Sequence, residues 1–501
     1  MTAGGRSWFV RGGLVLDPVD GEARRRDLVV RDGTIEASVE PGPQSAAGAG
    51  LPVHDATDRL ILPGLVNAHT HGHANLMKGV ADRWPLEVSL THGPWLTGAR
   101  DVETIYLSTL LGAIEMIGSG TTACYDLVYE FPVPTIAGLT AVARAYADVG
   151  MRAVIAPMVA DRTLFEAIPE LAAALPATLA QRVDGFELAP VAQTVDVLRA
   201  FAGLAGTLPA GIDVALAPTI PHHCSDELLA ACRDLAREAN LKLHMHLAES
   251  RLQAEMGPLH YGTSLAAHVA DLGLLGPHFT AAHGVWLDDA DLDRFAAAGA
   301  GIVHVPASNF RLGSGLARVR AMLDRGIAVG LATDGANSSD ALDMFLAMRL
   351  AAFASRTHAG APSTWLSSAE VFRAATAGGA TLLGLGDRIG RLAPGFAADL
   401  VFLDLAHPAL VPLNDALNQV VNGDARAALT DVMIDGRLAV RDRTVPAWTA
   451  AVRERVADAA RRLHRESLAA RGLAEAIEPF VARFVAERAR APFPLERLVR
   501  A

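Results

Sequence analysis

The sequence predicts an α/β protein: a (β/α)8 TIM barrel carrying a small composite β-sandwich domain built from both flanks. Three observations carry that reading. From about residue 61 to 360, apolar runs of strand type alternate with amphipathic helical stretches, the pattern of parallel strands joined by crossover helices. Eight such strands can be placed, enough to close a barrel. Outside this region the texture changes to short runs broken by Gly and Asp-Gly turns, which suit hairpins.

The expected barrel strands are residues 61–71, 121–127, 152–158, 214–220, 241–249, 279–285, 301–306 and 327–334. Helical stretches at 101–117, 226–239, 288–298 and 340–354 each open with an Asp able to accept from the first free backbone N–H groups. The flanking strand runs are 8–16, 28–30 and 34–37 on one side and 399–405, 432–434 and 438–441 on the other. They are expected to pair into one sheet domain. From Trp448 onward the pattern is helical and rich in Ala and Arg, suited to packing on the barrel or on a neighbouring subunit. The expected units are 1–60 (first part of the sandwich), 61–388 (barrel), 389–445 (second part) and 446–501 (C-terminal helical extension). Residues 41–50 read as a flexible loop.

Composition narrows the partners. Over 501 residues, 51% are hydrophobic and 20% charged, a balance that can bury a large core. The net charge of −11 and a pI near 5.9 argue against nucleic acid, whose phosphates are bound through clustered cations. No uncharged apolar run approaches the ~18 residues of a membrane span, and residues 1–11 lack the apolar core of a secretory signal, so a cytoplasmic location is expected. Cys124, Cys224 and Cys232 form neither a disulfide framework nor a metal knuckle. Lys78 and Lys242 are the only lysines among 44 basic residues.

His69-Thr70-His71 ends the first barrel strand, where residues two apart point to the same side. Barrel active sites gather at the C-terminal ends of the strands. His246 ends strand five, His283 strand six and Asp334 strand eight. Each alone has an ordinary structural reading; together, in barrel order, they point to a metal centre. Imidazoles and a carboxylate suit zinc or another first-row divalent ion with a position left for water, and the same donors accept iron, manganese or cobalt. His73 lies in the loop beyond the strand, and His244 one residue pair deeper, where a hydrogen-bonded core histidine is expected. No H-E-x-x-H helix, P-C-x-x-C run or Gly-Lys phosphate loop is present, and Gly313-Ser314-Gly315 reads as a tight turn over the pocket.

The chain resembles the amidohydrolase superfamily over nearly its whole length, in particular its cytosine-deaminase-like branch of aminohydrolases and triazine hydrolases. The marks are Leu62-Pro63-Gly64-Leu65-Val66-Asn67-Ala68-His69-Thr70-His71, His246-Leu247-Ala248-Glu249, Ala282-His283-Gly284-Val285, Ser308-Asn309, Leu312-Gly313-Ser314-Gly315 and Thr333-Asp334-Gly335. The late Ile389-Gly390-Arg391-Leu392-Ala393-Pro394-Gly395 with Ala398-Asp399-Leu400 resembles the return to the sandwich. The resemblance implies that His69, His71, His246 and Asp334 ligate the metal. It further implies that Glu249 carries protons to the leaving group and that His283 orients and stabilises the attacking hydroxide. Two-metal relatives often bridge their ions with a carbamylated lysine near the end of strand four. Lys78 and Lys242 lie elsewhere, so one divalent ion per chain, zinc first, is expected. A homo-oligomer is also implied.

For substrate the resemblance implies less. In purine-nucleoside relatives an acidic residue after strand one serves the ribose; here the stretch keeps Pro85-Leu86 and Trp95 but has Thr91 and His92 at the acidic pair. After strand four, Pro218 is followed by Thr219, with His222-His223 further on, and either histidine is a candidate for substrate contact. Trp84, Trp95 and Trp286 are available to stack on a flat ring, and Ser308 and Asn309 are further candidates. The expected substrate is a small planar nitrogen heterocycle without a sugar. The leading expectation is a deaminase that expels ammonia; the alternatives are the same machinery expelling chloride, an alkylamine or a urea nitrogen, and a non-catalytic scaffold homologue.

Overall fold

The computed structural model describes residues 5–42, 48, 50–97, 100–357 and 360–497. The expected loop at 41–50 falls largely outside them. Seventeen strands are described: β1 (Trp8–Leu16), β2 (Ala23–Arg31), β3 (Thr34–Val39), β4 (Val53–Asp55), β5 (Arg59–Pro63), β6 (Leu65–Thr70), β7 (Thr121–Val128), β8 (Arg152–Val159), β9 (Ile212–Val214), β10 (Ala217–Pro218), β11 (Leu243–Leu247), β12 (Phe279–His283), β13 (Gly301–His304), β14 (Val329–Leu331), β15 (Leu400–Asp404), β16 (Leu429–Ile434) and β17 (Arg437–Val440).

The flanks meet. One sheet runs β17-β16-β15-β5-β1-β2-β3, with β4 on β1, so strands from the two ends of the chain are hydrogen-bonded neighbours through the antiparallel β15–β5 pair. Between them lie two parallel sheets, β10-β8-β7-β6 with β9 on β8, and β11-β12-β13-β14. A parallel bridge joins Leu216 to Leu243, with His244 N–H donating to Leu216 O at 2.9 Å. Across the other seam Asp334 N–H donates to His69 O at 3.1 Å. A reciprocal side-chain pair reinforces this seam: Asn67 Nδ2 donates to Thr333 Oγ1 at 2.8 Å, and Thr333 N–H to Asn67 Oδ1 at 3.0 Å.

The expected first barrel strand, 61–71, is in fact two strands in different sheets. The break is at Gly64, where a Cβ would sit 2.0 Å from Thr122 Oγ1, so only glycine permits the approach. The helix expected at 340–354 starts later, at Met344, and is capped by Asp343 rather than Asp340, which adopts φ 57° in the preceding turn. Asp101 and Asp288 cap as expected, and Ser225 caps the helix beginning at Asp226.

Side chains at alternate positions of the parallel strands divide the core. Ala123 and Tyr125 of β7, Val154 and Ala156 of β8 and Val303 of β13 cluster with Leu382 and Ile389. Their neighbours Cys124, Ile155 and Ile302 pack under the helices. The C-terminal stretch is helical as expected, over Ala450–Glu466 and Leu468–Arg490. Among the described residues no helix is long and apolar enough to cross a membrane.

Candidate metal centre and active-site cavity

Four strand ends deliver the site. His69 lies in β6 where its pairing with β7 is irregular, and His71 follows, at the start of the Gly72–Met77 turn. That turn is held by Asp126, whose Oδ1 accepts from Gly72 N–H at 2.7 Å and whose Oδ2 accepts from Tyr146 O–H at 2.8 Å. His246 is in β11, His283 closes β12, and Asp334 follows β14. His283 and Asp334 hold left-handed backbones, φ 70° and 67°, which cost roughly 1–3 kcal/mol each for non-glycine residues. Such strain persists where surrounding contacts fix a functional geometry.

Each imidazole is anchored through Nδ1. His71 Nδ1–H donates to Leu127 O at 2.9 Å, and His246 Nδ1–H to Thr219 O at 3.0 Å. His69 Nδ1 faces His244 Nε2 at 3.0 Å, and His283 Nδ1 faces Asn309 Oδ1 at 3.0 Å. A proton fixed on Nδ1 leaves the Nε2 lone pair free. The Nε2 atoms converge: His71 and His246 are 3.2 Å apart, and Asp334 Oδ1 lies 3.3 Å from His71 Nε2 and 3.6 Å from His69 Nε2.

Burial drives His69 down to about 4 and His246 well below the usual histidine range. Both are therefore neutral at pH 7. Burial works against ionised Asp334, but the adjacent His69, then the His71 and His283 rings, hold its carboxyl well below the usual range. His69 Nε2 is buried without a hydrogen-bond partner. An orphaned lone pair costs free energy unless a cation fills the space it faces. Ligand atoms of His69, His71 and His246, and those of His69, His283 and Asp334, lie within 4.8 Å of one another in each group, so the residues fit a small divalent ion. Lys78 is paired with Glu115, and Lys242 packs near Gly384, both away from this centre.

Glu249 follows β11 through Ala248, whose φ of 50° turns the chain inward. Its Oε2 lies 3.6 Å from His283 Nε2. Burial, then the charges of Asp334 and Glu87, push its pKa well above the ordinary glutamate value. Arg251, two residues on, bonds Glu255 at 2.9 Å and, among the described residues, leaves Glu249 unpaired by a cation.

His71, His246, Glu249, His283 and Asp334 line the inner end of a cavity of ≈ 260 Å³. His223 also lines it; His222 does not, being buried against His223 instead. Trp84 and Trp95 are not among the lining residues. The Trp84 ring stacks on His92 with centroids 4.0 Å apart, and Trp95 Nε1–H donates to His92 Nδ1 at 2.6 Å, so both are spent on internal packing. Trp286 donates to Ser314 O and faces a smaller neighbouring cavity. Ser308 is buried outside the lining, and Asn309 reaches the site only through His283. His73 lines the cavity but accepts from Tyr129 N–H, and His244 is the buried partner of His69. Sequence reasoning missed Phe131, Phe165, Phe186, Leu473 and Ile477, which form much of the outer wall. Nothing local distinguishes them from ordinary core residues.

Imidazoles and an ionised carboxylate converging on one point, beside a buried carboxyl of raised pKa, make up the donor and acid set of a metal-dependent hydrolase. The chain belongs to the amidohydrolase family, which matches residues 60–439. It is similar to the 5'-deoxyadenosine deaminase of Methanothermobacter thermautotrophicus, at 33% identity over 87% of this chain and 93% of that protein. The 5-methylthioadenosine/S-adenosylhomocysteine deaminase of Syntrophobacter fumaroxidans is 34% identical over 86% and 91%. Among solved structures, an adenosine deaminase from Xanthomonas campestris with bound zinc aligns with a TM-score of 0.80 and 28% identity, covering 91% of this chain and 98% of that one. A zinc-complexed atrazine chlorohydrolase from Arthrobacter aurescens aligns with a TM-score of 0.78 and 25% identity, over 91% and 99%.

Proposed function

We propose that the chain is an aminohydrolase that replaces the exocyclic amino group of a planar nitrogen heterocycle, of aminopurine type first, by oxygen and releases ammonia. One divalent ion, zinc first, is held by His69, His71, His246 and Asp334. The observation that carries the reading is the junction of two groups in one cavity: converging imidazoles with an ionised carboxylate, and the buried Glu249 with its raised pKa. The relatives named as adenosine-type deaminases, and the neighbours solved with zinc, support it.

When bound, such an ion lowers the pKa of a water to about 7 and so supplies a nucleophile at neutral pH. The residues do the rest. Ionised Asp334 accepts a proton from the attacking water. His283, its Nδ1–H committed to Asn309, presents Nε2 as an acceptor that orients that water. Glu249 protonates the ring nitrogen beside the reacting carbon as the C–O bond forms. It then takes the proton of the added hydroxyl and delivers it to the amine as the C–N bond breaks, and the proton held by Asp334 returns to Glu249. Ring amine and water thus become ring carbonyl and ammonia.

The same reading carries a closed (β/α)8 barrel, a homo-oligomer and a cytoplasmic location. The two seam contacts support the first, and the family resemblance supports the other two. A second reading, expulsion of chloride or alkylamine, is favoured by the triazine hydrolase neighbours. A product-resolved assay of zinc-loaded protein on aminopurines, aminopyrimidines, pterins and chloro- or alkylamino-triazines separates the two. Ammonia from one ring class is expected; chloride or amine without ammonia moves the assignment to the second reading. Purified protein that holds no metal and releases no product, with His246→Ala changing nothing measurable, would favour a non-catalytic scaffold.

A further inference from the structure

Resting on that deaminase reading, we propose that the substrate bears an apolar substituent, alkyl or aryl, and that the C-terminal helix Leu468–Arg490 is the specificity wall that receives it. This helix lies outside the 60–439 region shared with the family. Even so, Ala470, Leu473, Ala474 and Ile477 line the cavity that holds Glu249 and Asp334.

The cavity has two chemically distinct ends. Its inner end carries the imidazoles, Asp334 and Glu249, and these are the only carboxylates among the described lining residues. The rest of the lining comes largely from three segments: the Leu86–Thr97 helix gives Leu86 and Leu90, the stretch after β8 gives Leu164 and Phe165, and the C-terminal helix gives Leu473 and Ile477, with Ser89, Thr91, Arg162 and Thr163 as the polar residues of the first two. Leu164, Leu473 and Ile477 belong to one apolar cluster, with Leu90, Phe165 and Phe186 packed against it. A polar group inserted there would lose water without gaining a carboxylate partner, whereas an alkyl or aryl group gains burial.

The wall is fixed in place at three points. His92 Nε2 bonds Glu478 Oε2 at 3.0 Å, with His92 itself stacked on Trp84. Arg251 Nη1 donates to Ala489 O at 2.9 Å and Nη2 to Ala491 O at 2.5 Å. Beyond the helix, buried Arg497 donates to Val285 O at 3.0 Å and Leu287 O at 2.8 Å, two and four residues after His283. A helix fastened at its middle and at its C-terminal end over the cavity is a pre-formed surface for a ligand.

The test uses zinc-loaded full-length protein and a graded set of probes: adenine, 9-methyladenine, 9-butyladenine, 9-benzyladenine and adenosine. Binding is read by calorimetry and turnover by ammonia. In the native protein, affinity is expected to rise about 3- to 4-fold per added methylene until the chamber is filled. Leu473→Ala/Ile477→Ala should weaken 9-butyladenine at least 10-fold while leaving adenine affinity, kcat on adenine and zinc content within 2-fold. Leu468→Ala, at a solvent-exposed position of the same helix, should change nothing. Affinity independent of chain length in the native protein overturns the proposal, and that measurement needs no variant to fold. Equal losses on adenine and 9-butyladenine overturn it as well, as does adenosine binding far more tightly than 9-butyladenine. Chain-length-dependent binding without ammonia sustains the apolar wall and removes the deaminase reading, so the two failures are distinguishable.

Discussion

Glu249→Gln removes one proton and little else. The carboxyl is buried, 3.6 Å from His283 Nε2, and burial, then the Asp334 and Glu87 charges, raise its pKa well above the ordinary glutamate value. An amide fills the same volume and retains donor capacity, and the Glu249 backbone N–H keeps its 2.9 Å bond to Gln253 Oε1. What is lost is transfer of a proton to the ring and to the departing amine. General acid–base steps of this kind contribute about 100- to 10,000-fold. At roughly 1.36 kcal/mol per tenfold, kcat should fall by roughly 2.7–5.4 kcal/mol of barrier. The metal donors are untouched, since His246 is set by Thr219 and His71 by Leu127. The assay pairs ammonia release with metal analysis of the same preparation. Expected are full zinc occupancy and a kcat lower by at least 100-fold. A rate within 5-fold of native, at equal occupancy, would refute the proton-transfer assignment.

Four further outcomes follow from the same geometry. His244→Ala removes the partner of His69 Nδ1, and loss of a partner behind a ligand typically weakens metal binding about 10- to 100-fold, readable by chelator competition. Asn309→Ala frees the His283 ring, so kcat should fall about 10-fold or more, within the range of positioning effects, with zinc content constant; Asn309→Asp should recover part of the rate. Gly64→Ala forces a Cβ against Thr122 and should cost about 1–3 kcal/mol or more, seen as a lowered Tm. The fourth concerns pH. Folded Glu249 holds its proton more tightly than the unfolded chain, so its contribution to stability is intact below the ordinary glutamate pKa of about 4.3 and is lost as pH rises through its raised folded value. Glu249→Gln, which cannot ionise, should therefore gain stability relative to native as pH rises from 5 to 8, at fixed zinc. A difference that does not change with pH would remove the charge-burial argument.

How much was legible in the sequence follows from the range of the interactions. His69, His71, His246, His283 and Asp334 could be found because strand ends of parallel barrels point at one place, and local chemistry marks them. Asp126 and His244 could be seen as polar residues in apolar strands, but their bonds to Gly72 N–H and His69 Nδ1 depend on neighbouring strands. Trp84 and Trp95 have the chemistry of stacking platforms, and only the fold shows them turned onto His92. Leu473 and Ile477 are indistinguishable from the core face of any amphipathic helix; their place over the cavity comes from contacts hundreds of residues away. Gly64 looked like part of a continuous strand because its role is set by Thr122, a residue of another strand.

The central claim is that one divalent ion at the His69, His71, His246 and Asp334 cluster supports release of ammonia from an amino heterocycle. The most direct measurement titrates zinc into chelator-stripped protein and records ammonia release from the best aminopurine against bound zinc per chain. Activity is expected to rise linearly to one equivalent and stay flat beyond it, with His246→Ala giving neither tight zinc nor ammonia. Ammonia production by metal-free protein, or activity that appears only with a second tightly bound ion, would contradict it.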